Sequence, residues 1–172
     1  KATFLINKGE ILDLPASMEN FQSPYFYMLE SLINFKETEN PNYEEARKFL
    51  PNFIRRILET FFSFKYAQVA RERNKNQSVG LEDIINEIID FQSLPSNSIG
   101  NISNENVKLK LSNINKICDN FSHGTAQQLD ECNFISNDAL REITIDTLDI
   151  ISFFDSLHFN QVQKLIESPM ES

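Results

Sequence analysis

Asn52-Phe53-Ile54-Arg55-Arg56-Ile57-Leu58-Glu59-Thr60-Phe61-Phe62-Ser63-Phe64 is the most informative stretch of this chain. On a helix, Phe53, Ile54, Ile57, Leu58, Phe61, Phe62 and Phe64 cover most of the surface. A narrow polar stripe is left, formed by Asn52, Arg55, Arg56, Glu59 and Ser63. Arg55 and Glu59 are four positions apart and therefore neighbours on one face. Charges on so apolar a helix persist when they are paired or when function requires them. The pair reads either as a structural i,i+4 ion pair, in the weaker order because the arginine comes first, or as part of a site.

Working outward, Pro24 opens a helix over Tyr25–Lys36, and Asn40-Pro41 breaks it. A second helix runs from about Tyr43 to Tyr66, with Pro51 expected to kink or split it. The polar run Gln68–Ser78 reads as a frayed helix end and a loop, and Leu81–Phe91 as a helix with one apolar side. Ser93–Asn106, rich in Ser and Asn, reads as a linker. Val107, Leu111, Ile114, Cys118 and Phe121 then step by four, three, four and three, marking a helix that stops at His123-Gly124. Ser136-Asn137-Asp138 starts a long helix expected to reach about His158, followed by a short one over Asn160–Glu167. At the other end, Thr3–Asn7 and Glu10–Leu14 flank Lys8-Gly9 as a β-hairpin that Pro15 ends.

The expected fold is mainly α, a helical bundle with a short N-terminal β-hairpin. Residues 1–15 are expected to complete a sheet in a further part of a longer protein, and 16–172 to form the helical domain. With 172 residues the chain suits one domain with a real core, and its 15 Phe and absent Trp make that core Phe-rich. Only 4 Gly and 6 Pro punctuate it, as suits long helices. No apolar run reaches membrane-spanning length and Lys1–Asn7 lacks the core of a signal peptide. The expectation is a cytoplasmic protein with no membrane partner.

A net charge of −9 opposes broad, non-specific nucleic-acid binding, though not a small local basic site. Cys118 and Cys132 form no CxxC pair and read as reduced, mostly buried thiols. Glu142, Asp146 and Asp149 share one helix face, and Asp83, Glu87 and Asp90 another. Carboxylates at such spacing suit Mg²⁺ or Mn²⁺, but no Glu-x-x-His accompanies them and acidic faces are usual on acidic proteins, so no metal is expected. Neither a phosphate-binding glycine loop nor a nucleophile elbow is present.

Asp119-Asn120-Phe121-Ser122-His123-Gly124 is the second stretch with chemical promise. An imidazole at a helix C-terminus before a glycine is a good cap, favoured by the helix dipole. It is equally a titratable group at the rim of a bundle, suited to general acid–base work. His158 shows no partner in the sequence and reads as a helix-end or core residue.

Taken together, NFIRRILETFFSFKY (52–66) and NINKICDNFSHGTAQQLD (113–130), preceded by INKGEILDLPASMENFQSPYFYMLESL (6–32), resemble the C-terminal region of RloC-like AAA/ABC-type ATPases. That group includes the anticodon nucleases of the PrrC and RloC kind. The resemblance spans Lys1 to about Phe159, and its specific part is Arg-x-x-x-Glu followed at a distance by Asn-x-x-His. It implies a HEPN-like helical domain that cleaves RNA without metal, with tRNA anticodons as targets and phage defence or toxicity as the role.

By position, Arg55, Glu59 and His123 match the Arg–Glu–His set of those nucleases. His123 would be the general base or acid, Arg55 the phosphate and transition-state clamp, and Glu59 the group that orients them. Asn120, Asn52 and the spare cation Arg56 would bind substrate, while Lys65, Arg71, Arg73 and Lys75 would supply local basic contacts. Where a HEPN signature has its arginine just before the histidine, this chain has Asn120, and its arginines sit on another helix. The resemblance implies RNA as partner, a homodimer, and an ATPase portion to which ATP and Mg²⁺ would be confined, with no cofactor in this chain. The alternative is a non-catalytic helical lobe used for dimerisation or for docking an effector.

Overall fold

The computed structural model describes residues 4–7, 10–13, 23–67, 80–91, 94, 98–99, 102–122 and 135–167. Strands β1 (Phe4–Asn7) and β2 (Glu10–Asp13) pair antiparallel, with Leu5 opposite Leu12 and Ile6 opposite Ile11. Among the described residues, all else of length is helical. Helix α1 (Pro24–Glu37) starts with proline in its first turn, where the missing N–H costs nothing, and buries Met28, Leu29, Leu32, Ile33 and Phe35. Its C-terminus is tied down from elsewhere: Arg141 donates to the carbonyls of Lys36 at 3.0 Å and Thr38 at 3.4 Å.

Helix α2 (Tyr43–Lys65) is capped by Asn42, whose side chain accepts from the Glu45 N–H at 3.2 Å. It runs unbroken through Pro51, contrary to the expected split. A proline removes one backbone donor, and the flanking Leu50, Ile54, Ile57 and Leu58 are each 0% exposed. Burial of such side chains contributes about 1.5–3 kcal/mol apiece, enough to hold the helix together across the lost bond.

Where one helix was expected over Leu81–Phe91, a single α turn, α3 (Leu81–Asp83), passes into a π-helical turn over Ile84–Ile88. Ile89 closes that turn by donating to the Ile84 carbonyl at 3.1 Å and itself adopts extended backbone. Leu81, Ile84, Ile85 and Ile89 are all buried. The expected linker over Ser93–Asn106 also differs. It contains the two-residue strands β3 (Ser98–Ile99) and β4 (Ile102–Ser103), paired antiparallel, and Ile102 is 1% exposed. Leu94, partly buried, also packs against the core, so the polar run is seated on the bundle by apolar side chains.

Helix α4 (Val107–Ser122) buries Val107, Leu111, Ile114 and Cys118, the spacing read from the sequence. Helix α5 (Asn137–Phe154), capped by the Ser136 hydroxyl accepting from the Ala139 N–H, is the central element. Its buried Thr144 and Thr147 hydroxyls donate to the carbonyls four residues back, Leu140 at 2.8 Å and Ile143 at 2.7 Å. Asp146 is 2% exposed and accepts from Lys110 Nζ at 2.8 and 2.9 Å, a cross-link from α4 to α5.

Helix α5 ends at Phe154, not near His158. Asp155 is its C-cap and at the same time accepts the His158 N–H at 3.0 Å, so it starts α6 (Ser156–Glu167). Helices α2 and α5 pack against each other and against both α1 and α4, with α6 folded back on α5. Among the described residues no helix is long and apolar enough to cross a membrane, and no buried side-chain nitrogen or oxygen lacks a hydrogen-bond partner.

Candidate functional site

From the polar stripe of α2, Arg55 reaches across to α4. Arg55 Nε donates to Glu59 Oε1 at 2.9 Å, the bond expected within the helix, and Arg55 Nη1 donates to Asp119 Oδ1 at 2.6 Å. The side chains of Arg55, Glu59 and Asp119 are 21%, 26% and 37% exposed, so the group forms one wall of the bundle that water still reaches. Glu59 Oε1 also accepts the Leu81 N–H at 3.3 Å, where α3 begins. Asp119 Oδ2 receives a long bond of 3.5 Å from Asn115 Nδ2. Burial pushes the Arg55 pKa down, but the Glu59 hydrogen bond and the charges of Glu59 and Asp119 outweigh it, leaving the guanidinium held more firmly protonated than usual. Beneath it the buried Cys118 thiol is pushed up to about 12 by desolvation, which the nearby Arg55 charge only partly opposes.

Asp119 entered the sequence reading only as the first residue of the stretch that continues to His123 and Gly124. Nothing in its own neighbourhood marks it as the partner of Arg55. His123, Arg71, Arg73, Lys75 and Cys132 lie outside the described residues. Asn120 is on α4, next to Asp119 in the chain. Asn52 is exposed on α2, one turn before Arg55 and Arg56.

Arg56 and Lys65 do not join Arg55. They line a separate cavity of about 960 Å³ between α1, α2 and the start of α6, whose walls include Tyr25, Phe26, Glu59, Phe61, Phe64, Asp155 and His158. His158, which showed no partner in the sequence, shares a 2.9 Å hydrogen bond between its Nε2 and the Tyr25 hydroxyl, 133 residues away. Its ring stacks on Phe61 with centroids 6.0 Å apart. Burial, with the charge of Asp155 adding to it, pushes the Tyr25 phenol well above its usual range, so it stays a protonated hydroxyl. Lys65 Nζ is 3.7 Å from Asp155 Oδ2. Phe64, expected on the apolar surface of α2, is 79% exposed at this cavity. Glu59 borders both the cavity and the Arg55 group, so the two are contiguous.

Asp146 shares the acidic face of α5 with Glu142 and Asp149, but it is buried and already engaged by Lys110. Among the described residues no group of three or more His, Cys, Asp or Glu is placed to hold a metal ion. No family model, curated protein or solved structure matches the chain.

Proposed function

We propose that this chain is a metal-independent endoribonuclease domain in which Arg55, Glu59 and His123 act on one RNA phosphodiester. The observation that supports it is the 2.6 Å contact of Arg55 with Asp119, which brings the Arg–Glu stripe of α2 beside the helix that leads, four residues later, to His123. His123 takes the proton of a ribose 2′-hydroxyl, and the 2′-oxygen attacks phosphorus as the bond to the 5′-oxygen breaks. That oxygen takes a proton from water while His123 returns its own to solvent. The products are a 2′,3′-cyclic phosphate and a free 5′-hydroxyl. Arg55, held protonated, offers the remaining N–H groups of its guanidinium fork to the phosphate oxygens as charge builds on them. Glu59 keeps the fork oriented. On the HEPN-like reading, the RNA is a tRNA, the parent is a defence or toxin ATPase, and two copies pair.

The test is the chain incubated with tRNA in EDTA, beside His123→Ala. Cutting by the wild type that leaves cyclic-phosphate ends, and none by the variant, is the expected result. Equal activity of the two proteins, or no cutting at high concentration, removes the proposal.

A second reading has its own support. Arg55 bonds to two carboxylates and Glu59 also receives a backbone N–H, which is the arrangement of a strut joining α2, α3 and α4. On that reading the chain is a helical docking or dimerisation lobe, and Arg55→Ala loosens the bundle while His123→Ala changes nothing.

A further inference from the structure

The nuclease reading takes Arg56 and Lys65 as RNA contacts but gives no part to the cavity beside Glu59 that they line together with Tyr25, Phe26, Phe61 and Phe64. Arg56, Thr60 and Phe64 follow one another at intervals of four on α2, so they form a ladder along its wall. From Arg56 to Phe64 the helix rises about 12 Å, the reach of one to two nucleotides of extended strand. Phe64 is 79% exposed, an unusual state for a large apolar ring, and it stands next to Lys65 at the mouth.

The charges around the opening are unevenly engaged. Glu59 is held by Arg55 and by the Leu81 N–H, and Asp155 by the His158 N–H with Lys65 at 3.7 Å. Arg56 makes no ion pair among the described residues. The lining also holds the Tyr25–His158 hydrogen bond, a polar edge kept in place by the stacking of the His158 ring on Phe61. An exposed ring for stacking, an uncommitted guanidinium and an inner polar edge are what a nucleotide requires of a pocket.

We propose that this cavity is a subsite for one unpaired nucleotide of the RNA next to the cleaved bond. Its base stacks on Phe64 and turns its polar edge toward Tyr25 and His158, while Arg56 and Lys65 hold its phosphate. The proposal rests on the nuclease reading for the identity of the RNA, but binding and cutting are separable. Because Glu59 borders both sites, a strand leaving the cavity passes directly to Arg55.

The experiment is anisotropy titration of the full chain with a 2′-O-methylated, and therefore uncleavable, single-stranded oligoribonucleotide. Phe64→Ala and Arg56→Ala are each expected to weaken binding roughly tenfold. Both residues are exposed, so neither change opens the core. Leu109→Ala, which removes a 72% exposed side chain on α4, is the control and should bind as wild type. Unchanged binding by Phe64→Ala and Arg56→Ala, equal weakening by the control, or no binding by wild type overturns the subsite. So does a loss of self-association by Phe64→Ala with unaltered oligonucleotide affinity, which would make this face a protein interface. Phe64-dependent binding without tRNA cutting sinks the nuclease reading alone; tRNA cutting with a KM indifferent to Phe64 sinks the subsite alone.

Discussion

Arg55 and Asp119, 64 residues apart in the chain, meet at 2.6 Å and clamp the polar stripe of α2 to the final turn and a half of α4. A guanidinium between two carboxylates is oriented by both, so its geometry is more closely determined than either pair alone would make it.

Arg55→Lys tests the clamp. A lysine keeps the charge but replaces the planar fork by a point donor, so it cannot face Glu59, Asp119 and a phosphate together. Single-turnover cleavage of tRNA is expected to fall about a hundredfold, as for loss of one transition-state donor. The free energy of unfolding in urea should fall by less than about 1 kcal/mol, because the pairs are partly exposed. A rate within threefold of wild type would contradict the assigned role.

Ile102→Ala tests whether the Ser- and Asn-rich segment belongs to the core. The side chain is 1% exposed, so its truncation should cost about 2–5 kcal/mol in urea unfolding. A true linker would show no loss at all.

Lys110→Met tests the buried pair with Asp146. Removing the ammonium leaves a carboxylate that is 2% exposed without its charge partner, a loss of about 3–5 kcal/mol at pH 7. Burial already raises the Asp146 pKa above its ordinary 3.8, an effect that Lys110 opposes. A carboxyl with a raised folded-state pKa binds its proton more readily in the folded chain. Its contribution is therefore full below the unfolded value and lost as pH rises through the folded one. The deficit of Lys110→Met should shrink as pH falls from 7 toward 4, and a deficit that grows on acidification would refute the assignment.

Cys118 should be inert in the folded protein. With its thiol pushed up to about 12 from an ordinary 9.0, roughly a thousandfold less thiolate is present near neutral pH than for a free cysteine. In a Cys132→Ser background, thiol labelling should be negligible until urea unfolds the chain. Rapid labelling before unfolding would place Cys118 at the surface.

The helices could be read without coordinates because helix formation is local. The steps from Val107 to Cys118, the Ser136 cap and the proline opening α1 each act within one or two turns. The Arg55–Glu59 bond was legible for the same reason, being an i,i+4 relationship. Local rules failed where distant packing outweighed them. Buried neighbours carry α2 through Pro51, and Ile102 draws a polar run onto the bundle. The Asp155 carboxylate that divides what looked like one helix is itself a local signal, a cap three residues before His158 that the apolar pattern masked. Asp119 beside Arg55 and Tyr25 beside His158 are pairings of remote segments, and no periodicity within either segment specifies them. Only the closing of the bundle brings such groups within a hydrogen bond of each other, because the apolar faces that drive that closing say nothing about which polar side chains will meet across it.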